Sequence, residues 1–523
     1  MTSIDLGGSM TVENWNEDNN WQNKKRKPFR SLKIGMTALV LIAVAGCTVT
    51  PTPFSNAELE SFAAEKSRRA VAETQEPVTR SIDLYEAMAR ALKYNLDHKL
   101  EISEVALRYA ELRDGEFDML PDLVGRVNWS DRSNDPFSDS LDEDGTIDPG
   151  PASTSEEIGS YDADLELSWD ILDFGLSYYR AQQNADKFLI AEEQRRSTIN
   201  RVVEDVRTSY WRAVAAQRLL GQIDRLERNA QNALNDARQQ VSSGEGQQIE
   251  ALRYQREMLE ILRSAQELRR DLSVAKNQLA ALMNLPQDQK FNVEIPGHHS
   301  LKTPITALSS EEMTEMALRN RPEMREIAYR LRINEAEEDS AVLSLLPSIR
   351  GYLGVNYDSN DLLVNNDWTQ WGARVSWDLI NIARYPRRKM VVAGQKTLLD
   401  ARALALTQAI ATQVYVSNKR FHSLQRESNV ARRLNNVSDR IYRQAQNEFQ
   451  SGIGNQRDLV RENLNAILAS LRYDATYAQM QGAFANVYAA VGLDAFDGTL
   501  TGNESVEELA ASLRQLWRAR GDK

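Results

Sequence analysis

No feature narrows the possible folds as much as the stretch from Tyr161 to about Val241, where a short two-faced strand runs into one very long helix. Tyr161, Ala163, Leu165, Leu167 and Trp169 alternate with Asp162, Asp164, Glu166, Ser168 and Asp170. That period of two gives the strand an apolar face and a carboxylate-rich face. From Gly175 to about Val241 there is no proline, and apolar residues recur three or four apart, as at Ile223, Leu226, Ala230, Ala233 and Ala237. The spacing predicts one helix with a narrow apolar stripe. Roughly 65 residues at about 1.5 Å each reach on the order of 100 Å, far beyond a compact domain.

The chain makes this unit twice. Ala91-Leu92-Lys93 returns 226 positions later as Ala317-Leu318-Arg319, and Leu120-Pro121 returns as Leu346-Pro347. Further on the offset is 208 and holds steady: Ser168-Trp169-Asp170 returns as Ser376-Trp377-Asp378, Ser243-Gly244 as Ser451-Gly452, Gly246 as Gly454, and Leu285 as Leu493. The offset changes because the first copy carries an insert of about 18 residues, rich in Asp, Ser, Gly and Pro, between its strands. A register kept over so long a distance is a duplication. Each copy reads helix, strand, loop, strand, very long helix, sharp turn, shorter helix. The shorter helices, about 84–117 and about 246–283, together match the long one in length. The long helix can therefore lie antiparallel to two stacked partners, with the strands at one pole and the Gly-x-Gly turns at the other. The divisions are 1–46 leader and signal, 47–80 linker, 81–285 first repeat (strands about 121–130 and 161–170, turn about 242–247), 286–308 linker, 309–493 second repeat (strands about 347–357 and 368–378, turn about 450–455) and 494–523 tail. The tail ends in an amphipathic helix with Leu509, Leu513 and Trp517 on one face, either docked or loosely attached.

The other strands have the same two faces. Leu123, Val127 and Trp129 alternate with Arg126, Asn128 and Ser130; Ile349, Leu353, Val355 and Tyr357 with Arg350, Tyr352 and Asn356; Trp371, Ala373, Val375 and Trp377 with Gln370, Arg374, Ser376 and Asp378. One reading is an antiparallel sheet packed on a protein core. The other is a membrane sheet, since all four strands run about 9 to 11 residues and carry Trp or Tyr near their ends. Four strands cannot close a barrel, which needs about eight, so a membrane sheet requires several chains to pool their strands. No run of about 20 uncharged apolar residues exists, so any crossing of a bilayer must use strands.

The net charge of −12 argues against nucleic acid as the main partner. Lys24, Lys25, Arg26, Lys27, Arg30 and Lys33 precede an uncharged run that ends at Cys47, the form of a secretory signal. Val44-Ala45-Gly46-Cys47 resembles a bacterial lipobox, which predicts acylation of Cys47, and Thr48 after it favours the outer membrane. A single cysteine excludes an intrachain disulfide. The competing readings are a core thiol and a basic address at Lys24–Lys27.

In the order of these elements the chain resembles the TolC-like outer-membrane channel proteins over about residues 80 to 495. Ala-Leu-Lys-Tyr-Asn and Ala-Leu-Arg-Asn-Arg-Pro head the two copies, Leu-Pro precedes the strands, Ser-Trp-Asp ends the second strand, and glycine turns are followed by an acid. The resemblance implies a mostly α fold with a small membrane β part: a homotrimer with one 12-strand β-barrel in the outer-membrane lipid, continued by a periplasmic α-helical barrel. It implies a passive exit duct of an efflux or type I secretion system, working with a periplasmic adaptor and an inner-membrane pump or ATP-driven (ABC) transporter. Adaptor docking at Gly244, Gly246, Gly452 and Gly454 follows from it, as does a pore constriction at Asp458 and Glu250, six residues past Gly452 and Gly244. Arg461 and Arg253 share the helix face of these acids, and Arg461 stands where the family often has a second acid. Asp458 and Arg461 then read either as part of a gate or as a solvated helix pair. Trp129, Trp169 and Trp377 fit an interfacial belt.

No catalytic constellation emerges. His98, His298, His299 and His422 are scattered, no spacing suggests a metal site, and no glycine loop precedes a lysine to hold phosphate. Neither an enzyme nor a cofactor is expected. A lipid-anchored periplasmic coiled-coil scaffold without a pore is the alternative from another class.

Overall fold

A computed structural model describes residues 52–71, 75–139, 145–146, 151–243, 248–286, 289–296, 309–496 and 504–521. The signal, Cys47, Gly244, Gly246, His298 and His299 lie outside the described residues. The chain divides at Ala72 into two units. Of the first, one exposed helix is described, α1 (Asn56–Val71).

The second unit, from Glu73 onward, holds the duplicated body. Its elements are α2 (Leu84–Tyr94), α3 (Leu96–Phe117), β1 (Asp122–Asp131), β2 (Gly159–Asp170), α4 (Ile171–Ser243), α5 (Gln248–Ser273) and α6 (Ala275–Leu282). The second copy gives α7 (Ser310–Asn320), α8 (Pro322–Leu343), β3 (Ser348–Asp358), β4 (Asp367–Ser376), α9 (Leu379–Gln450) and α10 (Gln456–Val491), and α11 (Val506–Ala519) closes the chain.

The long helices are longer than the sequence predicts. α4 has 73 residues, about 110 Å at 1.5 Å per residue, and begins at Ile171 rather than Gly175. A Cβ on Gly175 would meet Leu343 Cδ2 at 2.7 Å, so the glycine lets α4 and α8 approach. The helix expected over 84–117 is two helices, broken at Asn95. There the side-chain oxygen accepts from the backbone of Asp97 and His98, and Nδ2 donates to Leu282 O at 3.1 Å. The matching break between α7 and α8 falls before Pro322, whose missing donor suits the first helical position. The third short helix likewise breaks at Val274.

α4 is the hub, packing against α3, α5, α8 and α10. Its distal half buries Leu219, Ile223, Leu226, Ala230 and Ala233 against Met258, Ile261 and Ala265 of α5 and Val460, Leu464 and Ile467 of α10. Ala230, Ala233 and Ala237 are fully buried, at the contact positions their spacing implied. A second core gathers α2, the middle of α4 and α9, the C-terminal half of α10, and α11. The final helix is docked there: Leu513 and Trp517 are fully buried, and Trp517 Nε1 donates to Ala495 O at 3.1 Å.

The four strands form one antiparallel sheet in the order β1-β2-β3-β4. Leu167 pairs with Leu123 and Leu353, Leu165 with Gly125 and Val355, and Leu353 with Trp371. Among the described residues no protein core lies under this apolar face: Val127 is 79% exposed and Trp371 83%.

Candidate functional site at the sheet and the helical turn

The polar face of the sheet is internally paired. Arg126 lies 3.1 Å from Asp164 and 3.5 Å from Glu166, Asn128 Nδ2 donates to Asp162 at 3.1 Å, and Arg350 approaches Asp170 and Asp173 at 3.6 Å. Asp170 also accepts from Leu172 N, Asp173 N and the Ser348 hydroxyl. It thereby caps the start of α4.

The apolar face carries aromatics at both ends. Trp129 pairs in register with Tyr161, whose ring lies 5.8 Å from that of Tyr357. At the helix end Trp169 meets Phe174 at 5.5 Å, edge on. Trp377 follows β4 rather than ending it, and its Nε1 donates to Leu345 O at 2.9 Å. Tyr161 and Trp169 are eight residues apart on one strand, about 26 Å along it, which at a barrel tilt of about 40° spans about 20 Å of height against an apolar band of about 25 Å. Between them lie aliphatic side chains open to the surroundings.

At the opposite pole α9 turns into α10. Ser451 ends α9, Gly452 sits at φ 74°, and a Cβ on Gly454 would fall 2.9 Å from Phe449 N. Both glycines are therefore required by backbone geometry. Asn455 caps α10: its oxygen accepts from Asp458 N at 2.8 Å, and its Nδ2 donates to Asp458 Oδ2 at 2.7 Å. Asp458 is bound to Arg461 at 2.6 Å, with each side chain a little under half exposed. Glu250 and Arg253 repeat the pairing at 2.7 Å in α5.

Glu257, which sequence reasoning missed, joins the two copies here. It lies 2.6 Å from Arg457 and 3.9 Å from Arg461, tying α5 to α10. Its partners stand 200 residues away, and the 208-residue offset places Asn465 opposite it, so neither spacing nor duplication pointed to it. Burial works against the charge of Arg461, but the carboxylates of Glu462, Asp458 and Glu257 outweigh it and hold the guanidinium above its usual range. A groove of about 500 Å³ runs between the ends of α9 and α10, lined by Val437, Ile441, Glu448, Asp458 and Glu462 among others.

Among the described residues no helix is long and apolar enough to cross a membrane, and no group of three or more His, Cys, Asp or Glu is placed to hold a metal ion.

Residues 118–285 match the family described as outer membrane efflux protein. No curated protein matches the chain. Among solved structures, the CmeC outer membrane channel of Campylobacter jejuni superposes with a TM-score of 0.62 at 15% identity, covering 90% of this chain and 99% of that one. A membrane protein from Pseudomonas aeruginosa gives 0.61 at 16%, covering 88% and 99%. The open state of the MtrE outer membrane channel of Neisseria gonorrhoeae gives 0.59 at 17%, covering 79% and 89%. At such identities the likeness is one of fold.

Proposed function

We propose that the chain is a TolC-like outer-membrane efflux protein, a reading supported by its fold along the body and by the family match over residues 118–285, and that three copies close one barrel and form the exit duct of a tripartite export system. The single observation that carries this reading is the uncovered apolar sheet face, whose outer strands β1 and β4 each have one free edge. A free edge seeks a strand, and β4 of one copy can pair with β1 of the next. Two copies would supply eight strands, a barrel filled by its own side chains. Three supply twelve, about 24 Å across at a tilt near 40°, enough for a water-filled bore lined by the paired polar face. The helices attached to each strand end then continue the wall. A pore-free scaffold would have no use for this face.

In this assembly Asp458 and Glu250 narrow the periplasmic mouth, each charge-paired with Arg461 or Arg253. The glycine turns, with Gly244 and Gly246 in the first copy and Gly452 and Gly454 in the second, present a rigid rim to a periplasmic adaptor. Trp129, Trp169 and Trp377 anchor the band at its two interfaces, and acylated Cys47 tethers the N-terminus to the same membrane. The driving energy comes from an inner-membrane pump or ABC transporter.

Purified protein in planar bilayers tests the central claim. The expected result is a homotrimer by mass that gives discrete cation-preferring conductance steps. A monomer that leaves the bilayer silent, or a trimer that persists unchanged after removal of all four strands, would refute it.

A further inference from the structure

Residues 379–399, the start of α9, carry Arg384, Arg387, Arg388, Lys389 and Lys396 and no acidic residue. This runs against a chain whose net charge is −12. The matching stretch of the first copy, 171–191, sets Asp173 and Asp186 against Arg180 and Lys187 and is neutral. Duplication therefore does not account for the charge. Helix propensity does not either, since Gln and Glu serve a helix about as well.

All five basic side chains are exposed, and none forms an ion pair among the described residues. α8 runs alongside, with Asn334 Nδ2 donating to Val392 O at 3.3 Å, and it carries Glu335, Glu337, Glu338 and Asp339. These acids come no nearer than ion-pair distance to the basic run. Arg384, Arg387 and Arg388, spaced i, i+3, i+4, share one sector of the helix.

Position supplies the ligand. Trp377, at the helix end of the aromatic-flanked sheet, immediately precedes the run. Arg384 to Lys389 then lie about 9–17 Å along the helix axis from Asp378, the cap of α9. A headgroup layer occupies about 5–7 Å of that distance, and long basic side chains snorkel towards it. Their charges fall within about 8 Å, one Debye length, of a lipid surface.

We propose that residues 384–389 form a binding collar for anionic phospholipid headgroups, in the leaflet that adjoins the helical end of the sheet. The inference rests on the sheet spanning the membrane. Guanidinium groups pair with phosphodiester oxygens through two hydrogen bonds, and a basic cluster beside a membrane segment gathers anionic lipid. The collar recurs once per copy, at the start of α9 and not at the start of α4.

The test uses the full-length assembled protein and the variant R384Q/R387Q/R388Q/K389Q, each in nanodiscs of phosphatidylcholine with or without phosphatidylglycerol. Native mass spectrometry counts retained phosphatidylglycerol, and thermal dissociation reports assembly. The wild type is expected to retain phosphatidylglycerol and to dissociate at higher temperature in its presence, with salt weakening both effects. The variant is expected to match the wild type in phosphatidylcholine and to lose retention by about tenfold or more. Equal retention by variant and wild type overturns the collar. So does a variant that already falls apart in phosphatidylcholine, because the cations then pair with acids of a neighbouring copy, such as Asp114 and Asp118. Wild type that conducts in planar bilayers but shows no preference for phosphatidylglycerol fails the collar alone. Wild type that does not insert fails the membrane reading with it.

Discussion

His98 and Glu204 carry opposite pH signatures that can be read separately. His98 is buried, and its Nδ1 lies 2.7 Å from Leu92 O, the geometry of a neutral ring donating to a carbonyl. Burial, aided by the nearby charges of Arg195 and Lys99, depresses its pKa below the usual histidine value despite that hydrogen bond. A depressed folded-state value contributes stability that is complete above the unfolded pKa, about 6.5, and is lost as pH falls through the folded value. His98→Asn keeps a donor near the Nδ1 position without a titrating proton. It should cost about 1 kcal/mol at pH 7.5 and remove part of the loss in melting temperature on acidification towards pH 5. Glu204 is the reverse case. Burial first, and repulsion from Asp205 with it, raises its pKa even though Asn486 Nδ2 donates to it at 2.9 Å. A raised value means stability present below the unfolded pKa, about 4.3, and lost as pH rises through the folded one. Glu204→Gln retains the acceptor for Asn486 and should stabilise the protein at neutral pH by on the order of 1 kcal/mol, with no gain at pH 4. Melting curves at the two pH values decide it.

Elements whose signal is periodic were legible in the sequence, and those set by a single contact were not. β1 to β4 and the two long helices followed from alternation and from the want of internal proline in α4, because period and length are local properties. The one exception on the long helices, Pro386, lies inside α9 as its eighth residue, where it forgoes one i→i−4 hydrogen bond. The breaks at Asn95 and Val274 carry no proline. Asn95 ends α2 because its side chain can cap α3 and reach Leu282 at once, a tertiary contact no window of sequence contains. At the candidate mouth the Asp458–Arg461 and Glu250–Arg253 pairs were legible from i, i+3 spacing, whereas Glu257 was not. The docking of α11 was half legible: the stripe of Leu509, Leu513 and Trp517 was visible, but not what it covers. The structure supplies Arg207, fully buried with its guanidinium 4.5 Å from the Trp517 ring and Nη2 2.5 Å from Gln481 Oε1. A buried cation relies on the aromatic face above it. Trp517→Ala should therefore cost about 3–5 kcal/mol and leave Arg207 with only the more distant Phe484 ring, 5.6 Å away. The measurement is protease sensitivity of the C-terminal helix, expected to rise well before the long helices are cut.

Across the whole molecule the two copies are tied at several levels, and the ties differ in strength. Near the sheet Arg332 of α8 grips the buried Asp186 of α4, a charge pair whose loss would strand a buried carboxylate. At the far pole the carboxylate–guanidinium link between α5 and α10 among the described residues runs through Glu257, with side chains 22% to 43% exposed. Exposed pairs are worth about 0.2–1 kcal/mol each, so the polar link between α5 and α10 is weak, and what holds both helices at this end is their apolar packing on α4. In the proposed assembly a weak polar link of this kind suits a mouth that opens without disturbing the barrel. In a trimer three such latches act on one opening, and at about 1 kcal/mol each their loss shifts a closed–open ratio by up to about 100-fold. Glu257→Gln should consequently raise the open time of single channels in planar bilayers while leaving the assembled protein's melting temperature nearly unchanged. The charge-swapped pair Glu257→Arg with Arg457→Glu should return the open time towards the wild-type value, since it restores attraction between α5 and α10 with the signs exchanged. An open time unchanged in Glu257→Gln, or changed equally in the swapped pair, would mean that the mouth is held by something other than this latch.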